Sequence, residues 1–440
     1  MLKRIDLRNA SYASLAEVLP RAELDVEAAL GAVRPIIDDV RARGGAALRD
    51  IGEQFDGVRP VHLRVPASAL KEAVDQLKPE IREALELAID HNRKGHQIQL
   101  PTDTEVEIVP GGIVRQRWIP VSRVGLYVPG GLAVYPSSVV MNVCAAQVAG
   151  VGAIALASPP QKEYGGLPHP TILAACYLLG IDEVYAVGGA QAIAMFAYGA
   201  KGEVGTSDGD VLCQQVDVVT GPGNIYVAAA KRAVLGVVGI DAEAGPTEIG
   251  IVADEHANPE YVAADMISQA EHDPNAGSVL FTHSEELASA VDRVIEQRSK
   301  ETKHTERIHT ALTGSQSAIV LTNSKEHSLE AANAYGAEHL EIHTVTPRED
   351  AQKITNAGAI FVGEYNPVPL GDYLAGSNHV LPTGGTARFA SGLNVMAFIK
   401  SVQEIEYTRE AMTQMYDPLA ALALDEDLPA HAQALQARLD

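Results

Sequence analysis

Two doubly wound, Rossmann-like α/β domains, with helices before them and a helical tail after them, are predicted by three features of this 440-residue chain. Short apolar runs alternate with amphipathic runs twice over. Those runs are continuously apolar rather than alternating, as strands covered on both faces must be. The length supports two or three domains with large interiors.

The elements follow in order. Residues 1–25 form an N-terminal segment, and 26–92 carry apolar residues at spacings of three and four, which predicts two or three helices. A β-like stretch, 105–118, leads into the first block: strands 124–128, 153–158, 183–187 and 216–220, with helices 136–149, 170–179, 190–199 and 224–235. The acidic, glycine-interrupted segment 201–210 reads as a surface loop within it. The second block has strands 248–252, 278–282, 318–322, 340–344 and 359–363, with helices 258–271, 284–298, 327–336 and 347–356. Beyond Gly371 the alternation dissolves into a Gly/Thr/Ser-rich stretch to Gly392, a helix around 404–416 and a helical tail. A tail without a core of its own must pack on its own body or on a partner. The division expected is a discontinuous domain of 26–123 and 248–370, an inserted domain of 124–247, and a site loop with tail over 371–440.

Composition excludes several classes. A net charge of −23, with 34 Lys+Arg against 57 Asp+Glu and no basic run, disfavours nucleic acid and anionic membrane surfaces. Cys144, Cys176 and Cys213 form no CxxC and are odd in number, which fits a reducing compartment and a cytoplasmic location. The N-terminus has no apolar core after its early positive charge, so it is a poor secretory signal. The stretch 137–158 is apolar but broken by Asn142, Gln147, Gly150 and Gly152, and reads as a buried helix and strand rather than a membrane span.

Glycines crowd the loops after strands, where ligands of open α/β sheets gather: Gly130-Gly131, Gly188-Gly189 and Gly221-Pro222-Gly223. Each opens a helix that could hold an anion, or is a tight turn. A full GxGxxG is absent, because Tyr226 stands where the third glycine belongs. In ISQAEHDP, Gln269 and His272 share a helix face in ligand-like spacing, although a histidine near a helix end also suits the C-terminal dipole. Glu338 and His339 stand at a strand start as a potential pair of bases. Asp372 and His379 lie in a long irregular stretch, and Asp425, Glu426, Asp427 and His431 in the tail. Gln269, His272, Asp372 and His431 make a mixed N/O set acceptable to Zn²⁺ or Mn²⁺. Cys144, within an apolar helix pattern, reads as a small hydrophobe rather than a nucleophile.

The blocks VGLYVPGG, YPSSVVMN, VGGAQAIA, GPGN, AGPTE, SQAEHDP, AEHLEI, GDYLAGSNHVLPT and LPAH, in this order, resemble the L-histidinol dehydrogenase family over nearly the whole chain. The resemblance implies an aldehyde dehydrogenase-like pair of domains and a homodimer of histidine biosynthesis. Its activity would be oxidation of L-histidinol to L-histidine through histidinaldehyde, using NAD twice. It implies one Zn²⁺ per subunit on Gln269, His272, Asp372 and His431, with the tail histidine supplied by the other subunit. Glu338 and His339 match the family's bases. Thr247, Gln269, His272, His339, Asp372, His379, Glu426 and His431 match its substrate contacts, and Tyr127, Gln191 and Asn224 its NAD contacts. Thr247 stands where many relatives have Ser and keeps the hydroxyl.

Overall fold

The computed structural model describes residues 2–8, 15–22, 25–130, 134–243 and 245–439. Gly131 of the first glycine loop, and residues 1, 9–14 and 23–24 of the segment 1–25, lie outside the described residues.

The chain opens with β1 (Lys3–Asp6), then helices α1 (Val26–Arg43), α2 (Gly45–Phe55), α3 (Ala67–Asp75) and α4 (Pro79–Gln97), and the hairpin strands β2 (Thr104–Val109) and β3 (Gly112–Pro120). The first block is β4 (Arg123–Tyr127), α5 (Pro136–Ala149), β5 (Ala153–Ser158), α6 (Pro170–Leu178), β6 (Val184–Ala186) and α7 (Gly189–Tyr198). It continues with the short pair β7 (Ala200–Lys201) and β8 (Val211–Cys213), then β9 (Val218–Thr220), α8 (Ile225–Val234) and β10 (Gly239–Ile240). The second block is β11 (Glu248–Ala253), α9 (Pro259–Ala270), β12 (Gly277–Thr282), α10 (Glu285–Arg298), α11 (Thr305–Thr313) and β13 (Ala318–Leu321). It ends with α12 (Lys325–Tyr335), β14 (His339–His343), α13 (Pro347–Ala351), β15 (Ala359–Val362) and α14 (Val368–Tyr373). The tail is β16 (Ile399–Tyr407), α15 (Arg409–Asp425) and α16 (Pro429–Gln436).

Two all-parallel sheets result, of order β10-β9-β4-β5-β6 and β1-β13-β12-β11-β14-β15. In each, the strand order reverses beside the block's first strand, between β4 and β9 and between β11 and β14. That reversal is where a doubly wound sheet opens a crevice. Local sequence explains the elements. Helix α5 has no charged residue, starts with Pro136 in its first turn, ends on Gly150 in the left-handed region, and is buried almost all round.

Two sequence expectations are corrected. Helices α1 to α4 do not share a core with 248–370. Helices α1 and α2 pack with α7 and α8 on one face of the five-stranded sheet, and α3 and α4 pack with α6 and α5 on the other. Each is amphipathic with no sheet of its own, and it settles on the apolar face left open by the first block. The expected helix around 404–416 begins later: 404–407 belong to β16, paired antiparallel with β3, and Thr408 caps α15 through its side chain. The tail helices pack on one another, and with β3 and β16 they enclose an apolar groove of about 1180 Å³.

Gly125 is fixed by packing. A Cβ there would lie 2.4 Å from the Phe196 ring in the layer between β4 and α7. Overpacking of this kind costs about 1–3 kcal/mol. Gly125→Ala is therefore expected to lower the unfolding free energy by that amount, seen as a lower urea midpoint, and a second substitution, Phe196→Leu, to recover part of it.

Candidate active site

The residues that carry chemistry meet at the amino ends of β11 and β14. Thr247 and Glu248 enter β11, Glu338 and His339 enter β14, and the end of α9 supplies Gln269 and, past its last turn, His272. The Gln269 amide N–H donates to Thr247 Oγ1 at 2.7 Å, and Thr247 Oγ1 donates to Glu338 Oε2 at 2.6 Å. Glu338 Oε2 also accepts from the Glu248 backbone N–H at 2.9 Å. On the other face of β11 the Glu248 side chain is held by Arg21, both contacts at 3.1 Å, and by the Tyr335 hydroxyl at 3.2 Å.

These bonds fix the state of the groups they leave free. His339 Nδ1 lies 3.2 Å from the Glu248 carbonyl, which can only accept, so Nδ1 carries a proton and Nε2 is the nitrogen that holds the lone pair in the neutral ring. That Nε2 is buried without a hydrogen-bond partner, 3.8 Å from Asp372 Oδ1. Gln269 Oε1 is likewise buried and unpartnered. Burial pushes the Glu338 carboxyl up to about 7, against the opposing influence of His339 and its hydrogen bonds. His272 is exposed at the rim, close enough to Asp372 and His339 for their charges to act on it. His379 donates from Nδ1 to the Asp372 carbonyl at 3.0 Å and accepts at Nε2 from the Ser138 hydroxyl at 3.0 Å, and burial lowers its pKa. An imidazole, a carboxyl poised near neutrality and unpaired donor atoms can move protons and hold a cation.

A profile described as histidinol dehydrogenase matches residues 19–439. The histidinol dehydrogenase of Thermobifida fusca is 58% identical over 439 residues, covering 100% of this chain and 98% of that one. That of Bifidobacterium longum is 56% identical over 441 residues, covering 100% and 93%. The solved histidinol dehydrogenase of Elizabethkingia anophelis has a TM-score of 0.92 at 30% identity, covering 100% of this chain and 98% of that one. The chain belongs to the histidinol dehydrogenase family. It is an oxidoreductase with that family's fold.

Of the site residues that the family resemblance implied, Thr247, Gln269, His272, Glu338, His339, Asp372 and His379 come together. Glu426 and His431 do not join them within one chain: both are exposed, beside the groove of the tail. Tyr127, Gln191 and Asn224 lie at the carboxyl edge of the five-stranded sheet. The Tyr127 hydroxyl accepts from the Gly189 N–H at 3.0 Å, Asn224 caps α8 through Tyr226 and Val227, and Gln191 is buried in the first turn of α7. Gly221, at a φ of +123°, lets the next loop close on Tyr127, since a Cβ would sit 1.9 Å from the Tyr127 carbonyl. The rule that ligands gather at carboxyl ends therefore serves the first sheet and not the second, whose polar cluster is at the amino ends. Cys144 is fully buried and its thiol is pushed up to about 12 by burial, which leaves it a hydrophobe. Sequence reading missed Ser138, whose only signal is a hydroxyl at the start of an apolar helix.

Among the described residues, Asp265, Glu341 and His343 have donor atoms all within 4.8 Å of one another. None of the three is among the metal ligands that the family resemblance implied.

The Glu338 shift has a stability consequence. The folded chain binds this proton more tightly than the unfolded chain, whose carboxyl has the ordinary value of 4.5. The contribution is full below about 4.5 and is withdrawn as pH rises to about 7, on the order of 3 kcal/mol. In metal-free protein, urea unfolding at pH 5 and pH 8 is expected to differ by less in Glu338→Gln than in wild type.

Proposed function

We propose that this chain oxidises L-histidinol to L-histidine through L-histidinaldehyde, with NAD as acceptor in both steps and one Zn²⁺ per subunit. The reading is carried by His339 Nε2, a buried imidazole nitrogen with a free lone pair at the centre of the cluster, in a chain of this family. The donor chemistry fits zinc. Gln269 Oε1 is unpartnered, Asp372 lies across from His339, and His272 is at the rim, an N/O set that zinc accepts. Gln269, His272 and Asp372 would hold the ion, together with His431 of the partner subunit. When bound, Zn²⁺ supplies a fixed positive charge that templates the imidazole and amino nitrogens of histidinol, and NAD⁺ takes up one electron pair in each step.

The chain's own groups then divide the proton work. His339 takes the carbinol hydroxyl proton at Nε2 while the Glu248 carbonyl holds its Nδ1–H. Glu338 binds Thr247 and the Glu248 N–H through Oε2, so Oε1 is the atom that takes the proton of water adding to the aldehyde. His379 and Thr247 line the substrate position, and Glu426 of the partner subunit would hold the amino alcohol's positive charge. Tyr127 and Asn224, at the reversal point of the five-stranded sheet, and Gln191, in the first turn of α7, would contact NAD. We read the NAD-binding domain as 124–247 with the helices that cover it. Exposed Ile405, Leu422 and Leu424 on the tail and its sheet support a homodimer built through that arm. Three unpaired, buried cysteines support a cytoplasmic location. No described helix is long and apolar enough to cross a membrane.

Purified protein should form two NADH per histidine and lose turnover on chelation, with recovery on adding Zn²⁺. His339→Asn should lower kcat by about 10²- to 10⁴-fold. Glu338→Gln should slow the aldehyde step more than the alcohol step and remove the rise in aldehyde oxidation through pH about 7. No NADH under saturating NAD⁺ and zinc would refute the reading.

The shared site makes a separate prediction. His431→Ala and His339→Asn homodimers should each be nearly inactive, and subunit exchange between them should restore about a quarter of wild-type turnover, because one site in the mixed dimer is intact. A mixture with no more activity than its parents would place the tail on its own subunit's site.

A further inference from the structure

Three polar side chains inside the second block have no part in the proton work above. Glu341 and His343 lie on β14 two and four residues beyond His339 and share its face by strand alternation, while Leu340 and Ile342 face the apolar layer under α12. Asp265 stands one turn before Gln269 on α9, so the helix face that brings Gln269 to Thr247 also brings Asp265 to this row.

Glu341 is fully buried and His343 is 3% exposed. His343 Nε2 lies 3.2 Å from Glu341 Oε2. The other oxygen, Oε1, accepts the Val368 backbone N–H at 3.1 Å. Val368 begins α14, and Asp372 follows four residues later on the same short helix. Two carboxyls this close and this deep share a proton or a cation. Asp265 is pushed up to about 8 by burial and by Glu341, so it holds the proton. Val368 thus holds one Glu341 oxygen, while the other, Oε2, lies beside Asp265 and His343 and is buried without a hydrogen-bond partner, as is His343 Nε2.

We propose that Glu341 is a positioning residue for the metal centre: buried beside Asp265 and His343, it holds the start of α14 through its Oε1 and the Val368 N–H, and so sets Asp372 against Gln269, His272 and His339. The inference rests on the zinc reading above. Glu341 touches neither metal nor substrate, and its effect passes through Asp372 alone.

Zinc affinity, measured by competition with a chromophoric chelator, tests it without turnover. Glu341→Met removes the acceptor and should weaken zinc binding about tenfold or more, the size usual for partners that orient a ligand. Glu341→Gln keeps an oxygen for the Val368 N–H and should recover most of the loss. Asp265→Asn mimics the neutral acid and should bind zinc as wild type does. In an Asp372→Ala background, Glu341→Met should cost nothing further, which a general loosening of the core would not reproduce. Should Glu341→Met not fold, Val368→Pro deletes the donor instead, at a helix start where proline is tolerated, and carries the same expectation. Wild-type affinity in Glu341→Met, or an undiminished loss in the Asp372→Ala background, overturns the proposal. A second zinc per wild-type chain that Asp265→Asn removes also overturns it, because the three side chains would then be a cation site themselves. Wild type that binds no zinc at all overturns the zinc reading and this inference together, and is distinguishable because every variant then matches it.

Discussion

The register of β14 against β11 is the constraint on which the site depends. Ile249 lies beside His339 and Ile251 beside Glu341, so the odd residues of β14 face α9 and the even ones face α12. A slip of one residue would exchange the two sets. Leu340 and Ile342 would meet the polar face of α9, and His339, Glu341 and His343 would enter the layer around Leu329 and Tyr335. The slip would also break the bonds from His339 Nδ1 to the Glu248 carbonyl and from the Val368 N–H to Glu341, and a buried polar group left without its partner costs about 1–3 kcal/mol, so the slip is strongly disfavoured. His339, which would do the chemistry, thus belongs to the row of polar residues that specifies the strand pairing.

What can be read along the sequence is what neighbours decide. Helix α5 and strand β5 are visible because an uncharged apolar run, Pro136 and Gly150 are local signals. The pairs Gln269 and His272, and Glu338 and His339, are visible for the same reason. Their union is not, because it is made by α9 crossing two strands that are far apart in sequence. Strand β16 was hidden similarly: its partner is β3, and nothing within 399–407 shows that Ser401 will lie beside Trp118. The side taken by α1 to α4 depends on which sheet face the first block leaves open, and no helix carries that information alone.

The stretch from Gly371 to Gly392 shows why irregular sequence is not idle sequence. Its internal hydrogen bonds are short local turns, such as Thr386 N–H to the Thr383 carbonyl, and several others run to distant elements, so it has no period. The Asn92 side chain donates to the Ser377 carbonyl at 2.7 Å, and Asn378 donates to the Met141 carbonyl at 2.9 Å. His379 then links Ser138 of α5 to the Asp372 backbone. One segment therefore ties the helices over the five-stranded sheet to the polar cluster of the six-stranded sheet. A reaction between groups held on two sheets needs their separation fixed to well under an ångström, and these short polar ties can fix it where a small apolar contact would slide.

Charge completes the argument for a cationic occupant. The strongest influences on Glu338 are burial, His339, Thr247 and the Glu248 N–H, and none is a lysine or arginine. Burial also disfavours protonation of His379, so the imidazole nearest Asp372 on that side is neutral. Carboxylates held in a low-dielectric cleft with neutral imidazoles bind an incoming cation far more strongly than water does, provided the donor atoms are already unpaired. Gln269 Oε1 and His339 Nε2 meet that condition. The other polar end of each side chain is held, the Gln269 amide N–H by Thr247 and the His339 Nδ1–H by the Glu248 carbonyl, which fixes the free acceptor atoms in place for a ligand.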